Sequence, residues 1–173
     1  EIAPIENIPF DMPQIQKPTF PDLIVAITEK GADSIAPITE IVNKTILEVS
    51  EKGGGTVIIP KGYWKSARIV LKSNVNLHIA EGATVEFSGE VEDYLPAVFT
   101  RHEGIEIMGA GAFIYANNEN NIAITGKGKI QGPPMDVKMR SLPNGASVVE
   151  KDIPVEMPIE ERLFDGMEGR YFY

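Results

Sequence analysis

The chain has no cysteine among its 173 residues. This absence excludes disulfide bonds, thiolate metal sites and a cysteine nucleophile. No stretch approaches the roughly 18 consecutive apolar residues that a membrane-spanning helix needs. Basic residues are also scarce, with 16 against 25 acidic ones, so the formal net charge is −9. The excess of negative charge argues against nucleic acid and against a membrane as partners.

What the chain has instead is a series of short runs rich in β-branched residues between residues 53 and 88. Each run has the length of a strand, each ends at Gly, Pro, Asn or Ser, and no helical spacer separates one from the next. The runs cover residues 56–59, 68–71, 75–79 and 84–87. Such spacing is typical of a sandwich, a barrel or a coiled solenoid.

Two repeated motifs favour the solenoid. The motif I-x-I-x-G-x-G begins at Ile105 and again at Ile122, 17 residues later. The motif N-[VI]-x-[LI] begins at Asn74 and again at Asn121. A strand followed by a glycine corner is what each turn of a parallel β-helix requires. A sandwich of hairpins is less favoured, because the one two-residue hairpin signal, at residues 144–145, lies in a proline-rich region.

The chain divides into three predicted regions. Residues 1–22 form an extended arm with repeated prolines, residues 23–132 form the β-helix, and residues 133–173 form an irregular tail. Apolar residues at helical spacing predict an amphipathic helix over 37–50 that caps the first turn. We further predict a strand at 23–27, a loop at 91–102 and a short helix near 159–164.

Taken in order, many of these residues resemble the N-terminal portion of glycoside hydrolase family 28, the polygalacturonase-like group. The resemblance runs from about Glu51 to Gly132. Its segments are EKGGGTVIIPKG at 51–62, LKSNVNLH at 71–78, EGAT at 81–84, YLP at 94–96, FTR at 99–101, EGIE at 103–106, IYA at 114–116, NIAITGKG at 121–128 and, further on, PIEERLF at 158–164.

This resemblance implies an all-β, right-handed parallel β-helix of few coils and inverting hydrolysis of galacturonic acid linkages in pectin. It also implies a secreted or periplasmic location. The catalytic motifs of the family are Asn-Thr-Asp, an adjacent Asp pair, His-Gly and Arg-x-Lys, and none of them occurs in this sequence. We therefore expect an N-terminal segment that is inactive by itself, with no catalytic residue among its own. No cofactor and no metal site are expected.

The candidate substrate-binding residues surround the predicted loop. Arg101, His102 and Glu103 could form a polar wall of a sugar-binding groove, with Arg101 pairing a uronate carboxylate. Tyr94 could line the same groove. The alternative for Arg101, His102 and Glu103 is a solvent-exposed turn in which their charges pair with one another.

Two aromatic residues at 63 and 64 are weaker candidates. Tyr63 and Trp64 could stack on a sugar ring, although packing over the capping helix is the favoured interpretation.

Two other functions remain open for the chain. The chain could be a non-catalytic β-helix module that binds carbohydrate or mediates assembly. It could also be an enzyme that uses a different carboxylate set, Asp93, Glu103 and Glu106. Because early coils leave an open end with unpaired backbone groups, we expect a homo-oligomer or another association through that end.

Overall fold

A computed structural model describes residues 9–11, 16–102, 104–134 and 156–164, the side chain of His102 excepted. Strands dominate these residues, with one α-helix and three single turns of 3-10 helix at Ile27–Lys30, Val91–Tyr94 and Ile159–Glu161. The strands are β1 (Ile24–Ala26), β2 (Gly55–Ile59), β3 (Gly62–Ser66), β4 (Ile69–Val70), β5 (Val75–Ile79), β6 (Ala83–Phe87), β7 (Val98–His102), β8 (Ile105–Gly109), β9 (Ile114–Tyr115), β10 (Ala123–Gly126), β11 (Lys129–Gln131) and β12 (Leu163–Phe164).

Most strands stack in three parallel sheets. One sheet has the order β1-β2-β5-β10, the second β3-β6-β11 and the third β4-β9. The chain visits the three sheets in turn, through β2, β3 and β4, then β5, β6 and β9, then β10 and β11. We call this stack the coil. The predicted parallel coil is confirmed, while its handedness and the number of turns remain predictions.

Alternate residues of each strand fill the coil. In β2, β5 and β6 the first, third and fifth residues are buried, and the residues between them are only partly buried. Val57 lies opposite Leu77, and Leu77 lies opposite Ile124, so the core residues form columns along the coil. Each fully buried aliphatic side chain stabilises the fold by about 1.5–3 kcal/mol.

At one corner of the coil, residues with positive φ angles occupy equivalent positions on successive turns. Gly54, Asn74 and Asn121 have φ angles of 112°, 64° and 52°. Asn121 Nδ2 donates to Asn74 Oδ1 at 3.0 Å, so the two amides stack. A Cβ at residue 54 would lie 2.4 Å from the Asn74 carbonyl oxygen, which explains the glycine there. The N-[VI]-x-[LI] motif therefore does mark equivalent positions.

The motif I-x-I-x-G-x-G does not mark equivalent positions on successive turns, so the predicted repeat of 17 residues is wrong. β10 stacks on β5, whereas β8 pairs with β7 and β12 outside the coil. The glycines also differ, since a Cβ on Gly126 would lie 1.9 Å from the carbonyl oxygen of Ile79. At Gly109 the nearest atom to such a Cβ is 3.3 Å away. Tertiary pairing, and not the local motif, decides which strand joins the coil.

The predicted loop at 91–102 contains regular structure. It holds the 3-10 turn Val91–Tyr94 and strand β7, which pairs antiparallel with β8. We call residues 88–113, which leave the coil after β6 and return at β9, the excursion, and β7–β8 the hairpin. The excursion explains the uneven repeat: Asn76 lies opposite Thr56, 20 residues before it, and opposite Ala123, 47 residues after it.

The predicted amphipathic helix is present as α1, Thr39–Glu51. Its buried residues are Val42, Thr45, Ile46 and Val49, and the apolar ones join the core of the coil. Asn43 ties the helix to β4, because its side chain donates to the Arg68 carbonyl at 2.9 Å and accepts from the Val70 amide at 2.8 Å. A role for α1 as the cap remains a prediction.

The described parts of the predicted arm and of the predicted tail both contact other parts of the fold. In the arm, the amide and carbonyl of Thr19 bond the side chain of Asn121 at 3.2 and 2.8 Å. In the tail, β12 pairs parallel with β8 and Phe164 is buried. The described part of the tail contains a 3-10 turn and a short strand where a short helix was predicted. The rest of the predicted irregular tail, 135–155 and 165–173, lies outside the described residues. Within the described residues, no helix is both long enough and apolar enough to cross a membrane.

Candidate functional site: the hairpin and the adjoining groove

A buried arginine joins the excursion to the coil. Arg68 is 9% exposed and precedes β4. Its Nη1 donates to the carbonyls of Tyr94 and Ala110 at 2.7 Å each, and its Nη2 donates to the Pro96 carbonyl at 2.9 Å. These carbonyls belong to the outgoing and the returning sides of the excursion. One guanidinium therefore holds both sides.

Burial lowers the pKa of Arg68, and the neighbouring phenols of Tyr115 and Tyr94 oppose that effect. An arginine still stays protonated in a protein, so its N–H groups remain donors. Three carbonyl acceptors compensate for the water that the guanidinium loses on burial.

Aromatic side chains make the second connection. Tyr94 is 1% exposed, and its hydroxyl donates to the Ser88 carbonyl at 2.8 Å. Its ring lies 5.7 Å from that of Phe113, which stacks on Phe87 at 5.0 Å. Tyr115 of β9 donates from its hydroxyl to the Phe99 carbonyl at 2.7 Å. The hairpin is thus held close to the β4–β9 sheet.

Of the four candidate residues, the structure describes the side chains of Arg101 and Tyr94, and these differ in environment, since Arg101 is exposed and Tyr94 is buried. Arg101 lies in β7 and pairs with Glu106 of β8 at 2.5 Å, and its side chain is 66% exposed. Glu106 was not among the predicted binding residues, and an exposed pair of this kind contributes about 0–1 kcal/mol. His102 ends β7, where its backbone pairs with Ile105, while Glu103 lies outside the described residues. Tyr94 is in the core, which weighs against direct contact with a substrate. Substrate binding by these four residues remains a prediction.

A groove of about 660 Å³ lies beside the start of the excursion. We call it the acidic groove, because four carboxyl groups and one lysine line it. These are Glu40, Glu86, Glu90, Asp93 and Lys65. Ser88 adds a hydroxyl, which donates to Asp93 and accepts from the Glu90 amide at 3.1 Å. Its net negative charge is unfavourable for an anionic sugar.

No group of three His, Cys, Asp or Glu side chains is arranged to hold a metal ion in the part of the chain that the structure describes. Three of the described carboxyl groups, those of Asp33, Glu48 and Glu119, have pKa values that are lowered. Glu119 illustrates the cause, because the hydrogen bond from Lys72 lowers its pKa most, followed by that from the Ser73 hydroxyl. A general acid needs a raised pKa, so none of these three suits that role.

Sequence reasoning missed the structural roles of Arg68 and Glu119. The hydrogen bonds of Arg68 to the described residues go to main-chain carbonyls, which carry no sequence signal. Glu119 accepts from Lys72 Nζ at 2.9 Å and from the Ser73 amide at 2.8 Å, 46 or 47 residues earlier. That separation equals one turn of the coil, and the excursion concealed its length.

The comparisons with known proteins agree with this architecture. No model of a known protein family matches the chain, and no curated protein matches it. Among solved structures, the chain is similar to a hyperthermoactive exopolygalacturonase from Thermotoga maritima, with 33% identity over 91% of this chain and a TM-score of 0.78. It is also similar to a family 28 exopolygalacturonase from Yersinia enterocolitica, with 29% identity over 64% of this chain and a TM-score of 0.56.

The chain spans 38% of the length of the Thermotoga structure and 20% of the Yersinia structure. Over that part it has the family 28 polygalacturonase-like fold, and the resemblance stated from the sequence is confirmed.

Proposed function

We propose that this chain is the N-terminal segment of a polygalacturonase-like glycoside hydrolase that acts on pectic, galacturonate-containing polysaccharide. The observation that carries the proposal is the similarity to the Thermotoga exopolygalacturonase, which extends over 91% of the chain at 33% identity. The expected reaction is hydrolysis with inversion, and the expected location is secreted or periplasmic.

The chemistry supports placing catalysis outside these residues. Inversion requires a carboxylic acid to protonate the leaving oxygen and a carboxylate, about 6.5–9.5 Å away, to activate water. Two of the described carboxylates are committed to other contacts: Glu106 pairs with Arg101 and Glu119 pairs with Lys72. We therefore propose that the catalytic acids lie on turns beyond this sequence, and that this chain alone is inactive.

The edge of the coil supports a continuation. Ile124 and Ile130 occupy core columns on β10 and β11, yet each is 46% exposed. Their counterparts one turn earlier, Leu77 and Val85, are 0% and 1% exposed. We propose that a further turn, or a second copy of the chain, covers this edge. We also propose that α1 caps the other end of the coil and that the coil is right-handed. The proposed regions of the chain are the arm at 1–22, the β-helix at 23–132 and the tail at 133–173.

The test is an assay of reducing-sugar release from polygalacturonate. The chain alone should release none, and a protein extended through the genomic reading frame beyond Tyr173 should be active. Continued inactivity of the extended protein would favour the non-catalytic carbohydrate-binding or assembly module. Turnover by the chain alone that disappears in Glu103→Gln would contradict our placement of the acids.

A further inference from the structure

The turn that precedes α1 presents an apolar side chain to solvent. Ile35 is 91% exposed, the highest value among the large apolar side chains that the structure describes. Its backbone is fixed, because Asp33 Oδ1 accepts from the amides of Ile35 and Ala36 at 3.0 and 3.1 Å. We call residues 33–36 the Ile35 turn. A side chain on a fixed turn loses less conformational entropy when a partner buries it.

A pocket of about 560 Å³ lies directly beside this turn, because Ser34 belongs to its lining. We call it the Pro60 pocket. It shares no lining residue with the acidic groove. An isolated exposed isoleucine is common on protein surfaces, so the adjoining pocket is what makes Ile35 informative. Because Ile35 is almost fully exposed, it does not fill the pocket of its own chain.

The lining of the Pro60 pocket includes Pro60, Gly62 and the two aromatic residues of β3. Trp64 is 5% exposed and donates from Nε1 to the Pro60 carbonyl at 2.7 Å, whereas Tyr63 is 49% exposed. The prediction that both aromatic residues pack is therefore correct for Trp64 only. Because the indole N–H already has its acceptor, the ring surface that remains is apolar. An aliphatic side chain suits such a pocket.

A protruding side chain next to a pocket forms a surface that can bind a copy of itself. In a two-fold symmetric contact the same patch faces itself, so each Ile35 can enter the Pro60 pocket of the other copy. The adjacency of Ser34 and Ile35 in the chain keeps both insertions within one compact patch.

The charges of the patch are complementary under the same symmetry. Hydrogen bonds from the amides of Ala36 and Ile35 lower the pKa of Asp33, so the carboxylate on the turn is ionised at neutral pH. Lys61 belongs to the lining of the pocket. Within the described residues, neither Asp33 nor Lys61 takes part in an ion pair. A two-fold contact brings each Asp33 towards the Lys61 of the other copy, which offsets the repulsion between two chains of net charge −9.

We propose that two copies of this chain form a symmetric dimer in which the Ile35 turn of each copy occupies the Pro60 pocket of the other. This contact is separate from the open edge of the coil at β10 and β11, and it does not depend on the proposed function. A patch of one turn and one pocket from each copy is small. The dimer therefore belongs to the weak and reversible class of protein contacts.

The experiment is sedimentation equilibrium of the whole chain from about 10 μM to 1 mM, the range in which weak contacts associate. The wild type should change from monomer to dimer. Ile35→Ala should raise the dissociation constant about 100-fold, because each dimer loses two buried isoleucine side chains. Its thermal midpoint should stay unchanged, since Ile35 is exposed within the monomer. Lys61→Met should weaken the dimer about three- to tenfold and remove most of its salt dependence.

Two controls locate the contact. Leu47→Ala, at an aliphatic residue of α1 that is 45% exposed, should leave the dissociation constant unchanged. Ile124→Asp blocks association through the open edge and should still give the dimer. A wild type that stays monomeric at the highest concentration overturns the proposal, and so does a dimer that survives Ile35→Ala. Loss of association in Ile124→Asp, or a mass in that variant that rises beyond two copies, would also overturn it.

Discussion

The coil and the excursion are stabilised by different interactions. The coil repeats buried aliphatic columns on every turn, and its largest members, such as Leu77 and Ile59, are fully buried. The excursion has a small core of its own around Val91 and Tyr94, and depends on hydrogen bonds from Arg68. Apolar burial in the coil is shared among many residues, whereas the hydrogen bonds that join the two sides of the excursion come from one guanidinium. We therefore expect the coil to be uniformly stable and the excursion to open locally.

The largest effect is expected in the coil. Leu77→Ala should lower the free energy of unfolding by about 2–5 kcal/mol, since it removes a fully buried side chain and leaves a cavity. The matched control is Ile124→Ala, in the same column one turn later, where 46% exposure makes the cost less than about 1 kcal/mol. Urea unfolding of both variants checks this. Equal losses would mean that the edge at β10 is covered.

A smaller and local effect is expected for Arg68→Met. Three carbonyls, at Tyr94, Pro96 and Ala110, would lose this donor. Because local opening of the excursion lets water satisfy them, the total cost should be about 1–3 kcal/mol. Hydrogen exchange should accelerate in β7 and β8, while β2 and β5 remain protected. The exposed Arg101→Met is the control and should change little. Uniform loss of protection in all strands would contradict the division into two regions.

The smallest effect is the pH dependence from Glu119. Its folded pKa is lowered, so its contribution is present above the ordinary Glu value near 4.5 and is lost as the pH falls through the folded pKa. Thermal midpoints of the wild type should therefore fall between neutral and acid pH more steeply than those of Glu119→Gln. Parallel curves for the two proteins would show that the contacts with Lys72 and Ser73 contribute nothing measurable.

The coil was predictable because its signals are local. β-branched runs, alternating burial and the Asn corners at residues 74 and 121 can all be recognised in the sequence. A loop was predicted at 91–102, within the excursion, but the hairpin was not, because similar apolar strands occur both inside and outside the coil. The motif at Ile105 has the same spacing as the one at Ile122, yet only the second pairs with β5. The exposed Tyr63 and the buried Trp64 could be told apart only once the register was known.

Because the sequence contains no cysteine, the register of the coil can be tested directly with introduced cysteine pairs. A chain with Asn76→Cys and Ala123→Cys should form an intramolecular disulfide, because these residues are partners on adjacent parallel strands about 4.8 Å apart. The pair Glu106→Cys and Ala123→Cys, which the 17-residue repeat would place together, should remain reduced under the same oxidation. A disulfide in the second chain and none in the first would contradict the stacking of β10 on β5.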